Sequence, residues 1–314
     1  MQANVLQTKA CKKMKLAIEN ITVDTLQDYF LTEKKISLSV LRLDKIHPVL
    51  SGNKIFKLHF FLDEAKQSSH KAILTFGGAY SNHLVATAFV CKEEGLNCTG
   101  IVRGDASAQL SPTLQQCKKY GMQLKFMSRN DYAQRHDEDF IADLKKKYGA
   151  FTFIPEGGYH SLGAKGAALI YNSFDATAYT HICTAAGTAT TLAGLLSAAT
   201  NNQTIIGVNV LKGINDSKKR LAYLTGYSDY KNLVLLNDYH FGGYAKKNDE
   251  LISFMNNFWQ KHNIATDFVY TAKMFYAITN KIKQGYFAEG SRILCIHTGG
   301  LQGNRSLPVD SLLF

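Results

Sequence analysis

Proline is scarce in this chain, at 4 of 314 residues, tryptophan occurs once, and no apolar run approaches the roughly 18 residues that a membrane-spanning helix needs. The first shortage excludes a proline-rich linker, and the last gives no expectation of a membrane partner. The six cysteines, Cys11, Cys91, Cys98, Cys117, Cys183 and Cys295, contain no CxxC pair, so neither a zinc ribbon nor a dithiol redox motif is expected. Most lie in apolar segments, where a thiol packs as a small hydrophobe, and a reducing compartment fits. No Gly-Lys-Ser/Thr marks a P-loop, no GxGxxG a dinucleotide fold, and no GxSxG a hydrolase elbow. Helical His/Glu spacing is missing too, so His83, His160 and His297, which sit beside glycine turns, are not read as metal ligands. Lys9, Lys12, Lys13 and Lys15 are broken by Cys11 and Met14, without the apolar core of a signal peptide. The expected location is cytoplasmic.

What is present describes a globular α/β chain. Hydrophobic residues make up 46% and charged residues 19%, and 24 glycines supply the turns that the few prolines do not. The length favours about two domains and a large core. The formal charge of +11 is spread over short pairs and triples, such as Lys145 to Lys147 and Lys218-Lys219. Without a recognition motif this does not point to nucleic acid, and an anionic cofactor and substrate account for part of it.

From residue 36 onward, β-branched runs alternate with helix-period segments, the pattern of successive βαβ units in a doubly wound chain. Strands are expected at 36 to 43, 71 to 76, 98 to 103, 122 to 128, 151 to 154, 180 to 185, 204 to 210, 232 to 236 and 292 to 297. Helices are expected at 54 to 67, 82 to 95, 111 to 120, 130 to 148, 162 to 174, 190 to 199, 216 to 225, 247 to 262 and 271 to 284. The turn Pro155-Glu156-Gly157-Gly158 ends a four-strand group. A small domain at 57 to 155 is therefore expected as an insertion in a larger one formed by 1 to 56 and 156 to 314.

Three segments carry chemistry. Ser51-Gly52-Asn53-Lys54 places an amine at the start of a helix, where desolvation lets it form an imine with an aldehyde. Gly77-Gly78-Ala79-Tyr80-Ser81-Asn82-His83 closes a strand and opens a helix whose free N–H groups suit a carboxylate. Ala186-Gly187-Thr188-Ala189-Thr190-Thr191 follows another strand with small and hydroxyl side chains that suit a phosphate. Together they suggest a pyridoxal phosphate site.

The pieces SGNKIFKL, GGAYSNH, AGTATTLAGL, VYTAKM and IHTGG occur in the order found in the family of 1-aminocyclopropane-1-carboxylate deaminase and D-cysteine desulfhydrase, which the chain resembles from about residue 36 to 303. The resemblance implies a fold type II pyridoxal phosphate enzyme: α/β, with two open, twisted, mostly parallel sheets flanked by helices, assembled as a homodimer. It implies that Lys54 is the Schiff-base lysine and later an acid and base. Asn53 would position that turn, and Gly187, Thr188, Ala189, Thr190 and Thr191 would hold the phosphate. Asn82 would bond the cofactor's phenolic oxygen. Ser81 would meet the substrate at its carboxylate or reacting carbon, with Tyr80 and His83 beside it. Tyr244 and Tyr270 correspond to the family's active-site tyrosine pair. A phenol is a poor base near neutrality unless a cation or hydrogen bond assists it.

Thr271 and Thr298 bear on the choice of reaction. The deaminase pattern has Tyr-Glu and His-Leu-Gly-Gly where this chain has Tyr270-Thr271 and His297-Thr298-Gly299-Gly300. A hydroxyl near the ring nitrogen makes a weaker electron sink than a carboxylate and suits loss of a good β leaving group. The pattern resembles the desulfhydrase, a lyase that forms pyruvate, ammonia and sulfide from a small amino acid. Deaminase activity and a cofactor-binding protein of little turnover, its pocket obstructed by Tyr80, are the alternatives. Ala79-Tyr80 replaces the usual Ile-Gln, Ala189-Thr190 replaces a usual glycine pair, and the segment before Lys54 is short.

Overall fold

A computed structural model of the chain describes residues 18–106 and 109–314. Cys11, Met14 and the lysines at 9 to 15 lie outside the described residues. Ten strands form two sheets. The larger contains β1 (Val23–Thr25), β2 (Ser37–Arg42), β7 (His181–Ala186), β8 (Thr204–Asn209), β9 (Leu233–Leu236) and β10 (Arg292–His297), in the order β1-β2-β10-β7-β8-β9. The smaller contains β3 (Ala72–Gly77), β4 (Asn97–Arg103), β5 (Gln123–Met127) and β6 (Thr152–Ile154), in the order β5-β4-β3-β6. All pairs are parallel except β1 with β2. Buried on both faces, the central strands read as continuous apolar runs, as in Arg292-Ile-Leu-Cys-Ile-His297, where only the first residue is exposed.

The helices that bear on the site are α1 (Lys54–Gln67), α2 (Asn82–Glu94), α3 (Ser161–Ala168), α4 (Thr190–Ala198) and α5 (Thr271–Lys283). Nine strands and most helices fall where the alternating pattern places them. Three differences arise from local chemistry. Residues 130 to 148 form two helices, Arg129–Ala133 and Glu138–Tyr148, because Asp137 caps the second by accepting from Phe140 N. The segment 162 to 174 is α-helical only to Ala168 and continues as a 3₁₀ turn to Ser173. The short strand β1 and the helix Tyr29–Glu33 carry too few residues to show a period.

Both sheets reverse strand order at a point that matters. In the small sheet β3 lies between β4 and β6, and in the large one β7 lies between β8 and β10. At such a reversal the connecting helices leave on opposite faces and open a crevice at the carboxyl ends of the strands. The glycine turns after β3, β6, β7 and β10 all occupy these two crevices.

The core is continuous across the sheets. Ile73, Val102 and Ile154 of the small sheet belong to the same buried cluster as Ile182 and Leu294 of the large one, joined through Phe56, Phe61 and Leu62 of α1 and Leu192 of α4. Each such side chain contributes roughly 1.5–3 kcal/mol by leaving water. The expected boundary at 56/57 falls within the first turn of α1. Helices α1, α3 and α4 approach through glycines: a Cβ on Gly166 would lie 2.0 Å from Phe56 O, and one on Gly194 2.6 Å from Ala164 O.

Alanine normally gains about 1 kcal/mol over glycine inside a helix. At Gly166 the clash with backbone dominates, and Gly166→Ala is expected to lower stability by about 2 kcal/mol, the scale of an overpacked core. Urea unfolding measures this, and an unchanged midpoint would contradict the close approach of α1 and α3.

Candidate active site

Lys54 is the first residue of α1 and is fixed by the turn before it. Gly52 has φ +83, and a Cβ there would lie 1.8 Å from Thr298 O. Only glycine combines that conformation with that approach. Gly52 N donates to Leu43 O at 2.9 Å and Asn53 N to Thr298 O at 3.3 Å. The Lys54 ammonium donates to Asn53 Oδ1 at 2.9 Å, and Asn53 Nδ2 donates to Thr191 Oγ1 at 2.7 Å. A short polar chain thus runs from the amine to the turn after β7. Lys54 keeps part of its surface exposed, yet desolvation around the amine lowers its pKa to about 8, against the opposing pull of Asp267.

The turn after β7 has the form of an anion cradle. Ala189 takes the left-handed conformation, φ +62, at the cap of α4, where the family resemblance leads one to expect glycine. That costs a non-glycine residue about 1–2 kcal/mol. It aims the first-turn N–H groups, which have no helical acceptor, outward from the strand end. Thr188 and Thr190 share a hydroxyl contact of 2.9 Å, and Thr190 and Thr191 are buried. A Cβ on Gly157 would meet Thr188 Cγ2 at 2.9 Å, and a Cβ on Gly187 would meet the Tyr270 ring at 3.1 Å. The turns after β6 and β7 and the start of α5 therefore converge on one place.

On the small-sheet side, Ser81 caps α2, its Oγ accepting from Leu84 N at 3.2 Å. Asn82 Nδ2 donates to Gly300 O at 3.1 Å, linking this turn to the turn after β10, while its Oδ1 is buried without a partner. His83 is buried. Thr75 Oγ1 donates to Ile154 O at 2.7 Å and meets His83 Nε2 at 2.8 Å. With that hydroxyl proton committed, His83 Nε2 is the donor and its unpartnered Nδ1 a bare acceptor. Burial, with Lys54 and Lys57 nearby, lowers the His83 pKa to about 3 and keeps the ring neutral. Tyr80 is 40% exposed and lines a cleft of about 400 Å³ with Ala79, Arg103, Asp105 and Ser111. It stands at the rim beside α2, and Lys54 is not among the residues lining that cleft.

The tyrosines come together as a pair. Their ring centroids are 6.4 Å apart, and Tyr270 occupies the N-cap position of α5 without a side-chain capping bond. Burial raises the pKa of both, Tyr270 by more; at Tyr244, Arg103 and the Tyr270 hydroxyl oppose the shift. No cation reverses it, so both phenols hold their protons near neutrality. Thr298 is buried at the end of β10. Thr271 is fully buried, and its hydroxyl accepts from Asp267 N at 2.8 Å and donates to Asp267 Oδ1 at 2.8 Å.

The sequence reading passed over two residues at this place. Asp267 is fully buried and accepts from the N–H groups of Val269, Tyr270 and Thr271 at 2.9 to 3.0 Å. Burial outweighs these bonds and raises its carboxyl above the usual range. A Cβ on Gly300 would approach Asp267 Oδ1 to 3.4 Å and Asn82 Nδ2 to 3.1 Å. Its one local mark is an acidic residue just ahead of a helix start, a type that suits the free N–H groups there. Lys57 is 6% exposed and donates to Gly157 O at 3.1 Å. Burial and the neighbouring Lys54 hold its pKa well below that of an ordinary lysine. Its place one turn after Lys54 was visible, but its burial was not.

A desolvated amine, an anion cradle with a buried lysine against it, and an unpartnered amide oxygen at the start of α2 fit a cofactor with an aldehyde and a phosphate. The model for "Pyridoxal-phosphate dependent enzyme" matches residues 31–299, and the chain belongs to that family. Its cofactor is pyridoxal phosphate, and its two mostly parallel sheets with flanking helices are those of fold type II. A "Putative 1-aminocyclopropane-1-carboxylate deaminase" of Thermotoga maritima is 32% identical over 85% of this chain and 89% of its own. A D-cysteine desulfhydrase of Serratia proteamaculans is 26% identical over 83% and 86%. A bifunctional mitochondrial enzyme of Arabidopsis thaliana, named for both activities, is 29% identical over 81% and 70%. The crystal structure of an ACC deaminase homologue superposes with a TM-score of 0.75 at 24% identity, covering 94% of this chain and 96% of that one. Among the described residues, no helix is long and apolar enough to cross a membrane and no group of three His, Cys, Asp or Glu residues could hold a metal.

With a pKa of about 8 rather than 10.5, Lys54 gains neutral amine about tenfold per pH unit up to about 8 and then saturates. Reductive labelling by limiting pyridoxal phosphate and cyanoborohydride, followed by peptide mass spectrometry, should show that plateau at Lys54. Labelling that continues to climb through pH 10 would mean a solvated amine.

Proposed function

We propose that this protein is a pyridoxal phosphate-dependent lyase of the D-cysteine desulfhydrase type, which converts a small β-substituted D-amino acid and water to pyruvate, ammonia and the released β group, sulfide from D-cysteine. The observation that carries the reading is the Lys54–Asn53–Thr191 chain, which joins the desolvated amine to the anion cradle. When bound, pyridoxal phosphate supplies an electron-withdrawing ring that stabilises negative charge at the substrate's α carbon.

The chain's own residues divide the remaining work. The N–H groups at Gly187 to Thr190, the hydroxyls of Thr188, Thr190 and Thr191, and the Lys57 ammonium hold the phosphate. Asn82 bonds the phenolic oxygen. Ser81 and the free N–H groups at the start of α2 would receive the substrate carboxylate; His83, whose remaining nitrogen is an acceptor, and Tyr80, on a cleft that Lys54 does not line, offer it no donor there. Lys54 Nζ would take the α proton. Tyr244 and Tyr270, both protonated, donate to the leaving group. Thr271 keeps the site's buried carboxylate occupied, and Thr298 would supply a hydroxyl rather than a carboxylate to the ring nitrogen. This arrangement favours elimination. The second reading, 1-aminocyclopropane-1-carboxylate deaminase, is favoured by the names of several relatives.

The same reading divides the chain into a small unit at 57 to 155 within a larger one, supported by the separate sheets. It includes a homodimer in the cytoplasm, for which the five free buried cysteines among the described residues are consistent with a reducing compartment.

Sulfide and pyruvate should form from D-cysteine in a panel of D- and L-amino acids. Ammonia from 1-aminocyclopropane-1-carboxylate without sulfide from D-cysteine would select the second reading. Borohydride reduction should leave a pyridoxyl group on Lys54, and Lys54→Ala should lose that mark and lower turnover by about a thousandfold or more. A mark on another lysine would refute the assignment. Lys57→Met should weaken cofactor affinity about tenfold to a hundredfold, the scale of a lost charge-assisted hydrogen bond, as read by equilibrium dialysis.

A further inference from the structure

The motif Val269-Tyr270-Thr271-Ala272-Lys273-Met274 contains a lysine to which the reaction gives no part. Lys273 has no exposed surface. A lysine buried so completely loses several kcal/mol of hydration unless polar groups replace the water. Here its Nζ donates to His240 O at 2.8 Å and to Gly243 O at 2.8 Å, and Asp267 lies close enough to favour the charge. Desolvation lowers its pKa to about 8, so the ammonium form still prevails at pH 7.

Both carbonyls belong to one loop, and each also accepts a turn bond from within it, His240 O from Gly243 N at 3.0 Å and Gly243 O from Lys246 N at 3.2 Å, so Lys273 reinforces turns that the loop itself begins. Phe241, Gly242, Gly243 and Ala245 all have positive φ, at 50°, 92°, 121° and 52°. Two of these are non-glycine residues in the left-handed region, a conformation that persists only where the surroundings impose it. Tyr244 sits in the middle of the run, one residue after a carbonyl that Lys273 grips, and is 50% exposed. Tyr270, its partner, is three residues before Lys273 at the start of the same helix. One turn of α5 therefore sets one tyrosine directly and the other through the lysine.

We propose that Lys273 is a positioning residue for the reaction: by fastening the His240 and Gly243 carbonyls, it fixes the strained loop so that the Tyr244 hydroxyl stands beside that of Tyr270 at the reacting group. The proposal rests on the functional reading above only in taking Tyr244 to face the substrate. The anchoring of the loop is independent of that reading.

The test uses the holoenzyme, Lys273→Met, Tyr244→Phe and the double variant, with Lys273→Gln, which keeps a donor, as the milder substitution should Lys273→Met fail to fold. Hydrogen exchange of peptides spanning 240 to 246 is expected to quicken about tenfold or more in Lys273→Met, and less in Lys273→Gln. The pyridoxyl mark on Lys54 is expected to remain. For D-cysteine turnover, Lys273→Met is expected to lower kcat about tenfold with KM changed less than threefold. The double variant should fall within about twofold of Tyr244→Phe alone, because the lysine then has nothing left to position. Unchanged exchange in the loop, or kcat losses that multiply in the double variant, would overturn the proposal. Full turnover by Tyr244→Phe with quickened exchange in Lys273→Met would instead overturn the role given to Tyr244, leaving the anchor without a part in the reaction.

Discussion

The contact on which the site depends is made by backbone alone. Gly52 lies so close to the Thr298 carbonyl that a single methyl group would overlap it, and this approach seats the start of α1 on the end of β10. Asn53 completes the joint, with its N–H on Thr298 and its amide on Thr191. The amine of Lys54 is therefore placed with respect to two strands of the large sheet before any side chain of α1 packs. Rigid elements meeting through backbone hold a reacting group more closely than loops do, because no rotamer has to be chosen at the joint.

Electrostatics follows from that placement. Lys54, Lys57 and Lys273 all have lowered proton affinities by burial, yet they differ in what surrounds them. Lys273 is satisfied by two carbonyls and a nearby carboxylate. Lys57 has one carbonyl at 3.1 Å, with the like charge of Lys54 next to it. A bound phosphate would change that balance, since an anion at the cradle favours the charged form of Lys57. Lys54 gains from the same arrangement in the opposite sense: an amine that reacts with an aldehyde must be neutral, and desolvation supplies this close to physiological pH.

The sequence made most of this legible where periodicity and small-residue turns are the determinants. Strands such as Arg292–His297 and helices such as Lys54–Gln67 carry continuous apolar runs or glycine-bounded starts, and their order alone brought the four turns to the carboxyl ends of two sheets. The parts that were hidden depend on contacts between residues distant in the chain. Asp267 and Lys57 are ordinary charged residues until folding removes their water, and no local pattern distinguishes a buried lysine from a surface one. Tyr244 illustrates the same limit from the other side. Its place in the motif was legible, while the run of left-handed residues that presents it, and the lysine 29 positions later that holds that run, were not.

The chemistry of the tyrosine pair constrains the order of proton transfers. The buried Tyr270 hydroxyl is pushed well above the ordinary phenol range and that of the half-exposed Tyr244, whose hydroxyl end lies against Tyr270, is raised less, and Asp267, whose charge disfavours a phenolate, has its oxygens taken up by four donors. In the proposed reaction neither phenol suits the role of base at the α carbon near neutrality, because each would have to ionise against both desolvation and a neighbouring negative charge. The neutral amine of Lys54 is the group whose proton affinity matches that step. On the proposed reading the phenols take the complementary task, donation to a departing group, which requires them to be close together and protonated. A leaving group of low basicity, such as a thiolate, needs little more than a hydrogen bond from such a donor. The proposed elimination therefore asks of these phenols only a hydrogen bond, whereas a ring opening asks a proton donor to reach carbon.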